Sequence, residues 1–82
     1  MLLKIYVVIS DSIINNHSSH GLHGVYKSLS DAKTTAISMI ISTAKLHGYN
    51  ITSNDITVDD NDFFYAQHGI DIVVSCIEQD LL

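Results

Sequence analysis

Ser28-Leu29-Ser30-Asp31-Ala32-Lys33-Thr34-Thr35-Ala36-Ile37-Ser38-Met39-Ile40-Ile41-Ser42-Thr43-Ala44-Lys45-Leu46-His47-Gly48 decides the fold, because this stretch has a helical period with both ends marked. Ser28 is an N-cap residue whose hydroxyl suits a backbone N–H of the first turn. Asp31, three positions on, is a shorter version of the capping-box glutamate and meets the positive end of the helix dipole. Ala32, Ala36, Met39, Ile40 and Thr43 fall along one stripe, which Ile37, Ile41 and Ala44 widen. Lys45 and His47 occupy the last turn, and Gly48 suits the left-handed position that ends a helix. The alanines on the stripe allow close approach to a sheet.

Both flanks of this helix read as strands. Leu2-Leu3-Lys4-Ile5-Tyr6-Val7-Val8-Ile9-Ser10 is β-branched and aromatic and is bounded by Asp11-Ser12. Its nearly continuous apolarity predicts a central strand covered on both faces, or on one face by a second subunit. Asp11 to Gly21 reads as a polar loop, and Leu22 to Lys27 as a short second strand pairing with the first. Beyond the helix, a polar connector leads to Ile56-Thr57-Val58, a turn at Asp59-Asp60-Asn61-Asp62, and Phe63-Phe64-Tyr65-Ala66-Gln67. His68-Gly69 is a second turn. Ile70 to Glu78 closes the pattern, with Ile70, Ile72, Val74 and Cys76 on one face and the half-polar set Asp71, Val73, Ser75 and Ile77 on the other.

The expected architecture is α+β: an antiparallel sheet of three to five strands with one long helix on one face, in the order ββαβ(β)β. Residues 1–82 form a single domain. One helix covers one face only, so Tyr6, Val8, Val73 and Ile77 are expected to line the other and to need a dimer mate or a partner. An apolar content of 46% in 82 residues strengthens the expectation of a homodimer.

Charge is segregated. From Asn50 onward there are seven acidic side chains (Asp55, Asp59, Asp60, Asp62, Asp71, Glu78, Asp80) and no Lys or Arg. The four lysines precede Asn50, so the first 49 residues sum to +2 and the rest to −7. Such a field attracts basic surfaces and repels phosphate backbones, so direct nucleic-acid binding is not expected. Asp59, Asp60, Asp62 and Asp71 with the rings of Phe63 and Tyr65 are the candidate partner-binding residues, the aromatics anchoring and the charges steering. Alternation assigns either Phe64 or the Phe63/Tyr65 pair to the core instead.

Other chemistry is poorly represented. His17, His20 and His23 at spacing three, with His68 as a distant fourth, are weak metal candidates only, because the spaced helical pair usual for a metal is missing. The aspartate run lacks the glycine and ligand pattern of a calcium loop. Neither a Gly-x-Ser-x-Gly elbow nor a phosphate-cradling glycine loop occurs, so no enzyme and no cofactor are expected. Cys76, the lone cysteine, reads as a small core residue. The first ten residues are too short an apolar run for a membrane span and lack a cleavage site, which gives a cytoplasmic expectation without membrane contact.

Gly24-Val25-Tyr26-Lys27-Ser28-Leu29-Ser30-Asp31-Ala32, following the Ile5–Ile9 strand, resembles a pattern in small phage and mobile-element accessory proteins. In those, a Gly-Val-(Phe/Tyr)-x-Ser segment leads into a helix with an early alanine. The resemblance covers Ile5–Ile9, Gly24–Ala32 and Ile70–Glu78. That group has no common activity, so it assigns no functional residue here; it implies a phage accessory role, a category that includes inhibitors of host defence. Two functions follow as expectations. One is a small acidic non-enzymatic protein that docks on a larger basic protein or complex, such as a host nucleic-acid-binding or defence complex. The alternative is an oligomer that sequesters a small ligand in a pocket at its subunit interface, with the His17–His23 segment as a wall.

Overall fold

A computed structural model describes residues 3–67 and 69–81. Strands β1 (Leu3–Ile14) and β2 (His17–Tyr26) form a long hairpin, followed by helix α1 (Leu29–Leu46) and a single 3-10 turn (Ser53–Asp55). A short hairpin of β3 (Thr57–Asp59) and β4 (Asp62–Gln67) then leads into β5 (Ile70–Leu81). All neighbouring strands are antiparallel, in the order β2-β1-β5-β4-β3. The α+β sheet-and-helix architecture expected from the sequence is therefore the one observed.

The helix ends where its sequence marks it. The Ser28 hydroxyl accepts from the Asp31 backbone N–H at 3.4 Å. At the other end Gly48, at φ 89°, lets its own N–H reach the Lys45 carbonyl while the Tyr49 N–H reaches that of Ala44. That pair of bonds is a Schellman closure, and it satisfies carbonyls that the helix would otherwise leave open. Ala32, Ala36, Ile40 and Ala44 are fully buried against the sheet, one residue per turn. Three of the four are alanines, so the helix axis comes close to the strands beneath.

The core beneath α1 is built from alternate residues. Cross-strand partners share a face, and Val8 lies opposite Cys76 while Phe63 lies opposite Val74 and Tyr65 opposite Ile72. All six are buried, together with Ile70. Burying a side chain the size of Phe63 contributes about 1.5–3 kcal/mol.

Four expectations are corrected. The Asp11–Gly21 segment is not a loop: β1 continues to Ile14 and β2 begins at His17, with only Asn15 and Asn16 between them. Both asparagines have positive φ, 51° and 69°, as the two-residue turn matching strand twist requires. Polar composition suggested a loop, but strand propensity is weak beside a long, continuous ladder. Tyr6 and Val8 do not line the open face; their register with Glu78 and Cys76 places them on the helix side. The last strand runs to Leu81, because Leu3–Ile5 pair with Gln79–Leu81. The connector holds the 3-10 turn, closed by a capping box in which the Thr52 hydroxyl and the Asp55 carboxylate each accept a backbone N–H.

Candidate binding face

The sheet side turned away from α1 follows directly from the register. Val7 pairs with Val25 and with Ile77, Ile9 with Leu22 and Ser75, and Phe64 with Val73. These positions alternate with the buried ones, so they share the uncovered face. Leu22 is 68% exposed, Val25 56% and Ile77 43%. Ile5, Val7, Ile9, Phe64 and Val73 are half-buried. An apolar strip therefore crosses the open face from β2 to β4.

Carboxylates border that strip. Asp71 lies opposite Ala66 on β4 and Ile13 on β1, and Asp62 opposite Ser75, all on the open face. Asp59 is directly across from Asp62 in the β3–β4 hairpin. Like charges placed opposite one another destabilise a strand pair, and among the described strand residues no lysine stands on this face to offset them. Lys4 projects from the helix side, where it meets Glu78 at 3.4 Å. Lys33 and Lys45 belong to α1, and Lys27 lies between β2 and α1. Asp11, also on this face, contacts the His20 imidazole across β1–β2. Asp60 sits exposed in the turn at the hairpin tip, at φ 56°.

The structure thus brings Asp59, Asp60, Asp62 and Asp71 to one side of the molecule, but it separates the aromatics. Phe63 is 2% exposed and Tyr65 4%, both beneath α1, so neither is available to a partner. The ring on the open face is Phe64. Sequence reasoning also missed Ile5, Val7, Ile9, Leu22 and Val25 as face residues. The signal for the first three was present in the odd-numbered positions of β1, but continuous apolarity hid which parity faced the helix.

The histidines do not converge. Residues three apart in a strand point to opposite faces, and His20 lies on the open face while His23 turns to the helix side beside Ser10. Among the described residues no group of three His, Cys, Asp or Glu side chains is placed to hold a metal ion. His68 lies outside the described residues. Ser10 and His23 share a hydrogen bond of 2.6 Å. Among the described residues nothing orients the imidazole from its other nitrogen, as an activated serine would require. Cys76 is buried, and burial pushes its thiol above the ordinary value, with Lys33 opposing and Asp62 adding to the rise. No described helix is long and apolar enough to cross a membrane. Compared with known families, characterised proteins and solved structures, the chain matches none.

Proposed function

We propose that this protein is a small non-enzymatic binding module whose open sheet face docks on a basic surface of a larger protein. The observation that carries the reading is the pairing of an apolar strip with Asp59, Asp62 and Asp71 on a face where the five strands place no lysine. Apolar area supplies affinity and the carboxylates supply steering and partner choice. The directly opposed Asp59 and Asp62 cost the hairpin stability, which a cationic partner would recover on binding. Surfaces that handle phosphates are basic, so a host nucleic-acid-binding or defence complex is the kind of target this face fits. An accessory role in a phage or mobile element, acting by occluding such a surface in the host cytoplasm, agrees with that chemistry.

The test is capture from a bacterial host extract, followed by association rates with the captured protein over a salt series. Wild type is compared with a variant carrying Asp59→Lys and Asp62→Lys. Association of wild type is expected to be faster and more salt-sensitive, because screening acts on the term that the variant lacks. Equal salt slopes for the two would remove the carboxylates from the docking face.

A second copy of this chain is the competing occupant, favoured by the exposure of Leu22, Val25 and Ile77. Face-to-face pairing would, however, bring two sets of carboxylates together.

A further inference from the structure

One helix cannot cover five strands. α1 packs over β5 and β1 and only marginally reaches β2. Beside it, on the side of the sheet opposite the docking face, the β1–β2 wing leaves a cleft of about 270 Å³. Its floor is apolar, from Ile14, Ile72 and Val74, and Met39 of α1 forms one wall.

The rest of the lining breaks the pattern that built the core. Ser10, Ser12 and Ser19 occupy strand positions on the helix side, Ser12 directly opposite Ser19, with Ser10 and Ser12 half-buried and Ser19 exposed. Thr43 adds a hydroxyl from α1. Among the described residues the hydroxyls of Ser12, Ser19 and Thr43 make no hydrogen bond to protein, and none of them is buried away from solvent, so a ligand entering the cleft would meet them directly. Departures from an otherwise consistent pattern tend to mark function.

The imidazole of His23 is also placed by the backbone. His23 is the extra residue where the register of β1 against β2 shifts between Val8 and Ile9, and its exposed imidazole bonds Ser10 on the helix side. Gly21 leaves the room it needs, since a Cβ there would come within 3.1 Å of the His23 Nε2.

No Lys, Arg, Asp or Glu lines the cleft, so a charged ligand group would lose its hydration without a partner. The space equals that of about nine waters at roughly 30 Å³ each. Hydroxyls and imidazole both donate and accept, which suits a ligand edge of mixed donors and acceptors. Met39 and Thr43 also border a shallower groove along α1 with Thr35 and Ser38, which gives a ligand room to extend.

We propose that this cleft binds a small uncharged molecule of the nucleobase or nucleoside kind. One flat apolar face would rest on Ile72, Val74 and Met39, and its polar edge would meet Ser12, Ser19, Thr43 and His23. This site is independent of the docking face, and the two fail separately.

Amide NMR spectra of the full chain, titrated with adenosine, with uridine and with adenosine monophosphate to about 10 mM, test it. Saturable shifts centred on Ser12, Ser19, His23 and Thr43 are expected with at least one nucleoside, and no tighter binding of the monophosphate. Thr43→Val and Ser12→Val should each weaken binding at least fivefold while leaving the thermal midpoint unchanged or higher, since the hydroxyls serve the ligand and not the fold. The proposal is overturned by the absence of cleft shifts with both nucleosides, by tighter binding of the monophosphate, or by unaltered affinity in both variants. Loss of stability in both variants would also overturn it, by making the hydroxyls structural.

Discussion

Ser10 Oγ lies 2.6 Å from His23 Nε2, on the helix side of a hairpin whose turn is only Asn15 and Asn16. The contact exists because β1 and β2 remain paired through serine- and histidine-rich sequence, which sets Ser10 and His23 on the same side of the hairpin. The tight turn is what holds that pairing in register.

Changing Asn16 is therefore expected to read out the hairpin directly. Asn16→Gly should be neutral or stabilising by a few tenths of a kcal/mol, because glycine adopts positive φ without strain. Asn16→Val should cost about 1–3 kcal/mol, the scale of a forced unfavourable backbone conformation. Urea unfolding of both variants checks this, and equal midpoints would mean that the turn is not as described.

The helix gives a second comparison. Ser28→Ala should cost about 1 kcal/mol by removing an exposed cap. Ala36→Asp places a carboxylate at a fully buried position and should cost several times more. Chemical denaturation of each measures the ratio, and similar small losses would contradict the packing of α1 on the sheet.

Neighbouring phenylalanines should separate folding from binding. Phe63→Ala empties a core position and is expected to cost about 3–5 kcal/mol, enough to unfold much of a small domain. Phe64→Ala, on the open face, should leave thermal unfolding within about 1 kcal/mol of wild type and act mainly on partner dissociation. A Phe64→Ala protein that fails to fold would place that ring in the core.

Burial raises the Cys76 thiol, and the consequence for stability has a definite sign. The folded state holds the thiol protonated at pH values where the unfolded chain, with a cysteine value of about 8.5, has lost the proton. This contribution is complete below the unfolded value and is lost as pH rises through the folded one. Stability should thus be level up to the unfolded cysteine value and fall as pH rises from there through the raised folded one, and Cys76→Ala should flatten that alkaline slope. Denaturation midpoints across the range test it, and parallel profiles for the two proteins would count against it.

Salt should act in opposite directions on the two occupants of the open face. Docking on a basic protein weakens as ionic strength rises. Self-association through the same face would instead strengthen, because screening relieves repulsion between the two sets of carboxylates. Light scattering of the protein alone, at low and high salt, separates these. A dimer that is firm at low salt would point to an interface that excludes Asp59, Asp62 and Asp71.

The sequence alone determined what depends on neighbours along the chain. Ser28 and Gly48 closed α1, its four-residue apolar spacing set the buried stripe, and alternation from Ile70 to Cys76 assigned β5 its inner face. The segregation of carboxylates was equally plain. Features that depend on partners far apart in sequence became visible only in the folded chain. Pairing of β1 with β5 chose which parity of each strand met the helix, so Phe63 and Tyr65 were buried and Phe64 left outside. It also kept serines and histidines in strand form where their composition reads as loop, since a ladder rewards the backbone whatever the side chains are. The physical reason is common to both. Capping and periodicity are local preferences, whereas the facing of a strand is fixed by register, and register is a property of two strands together.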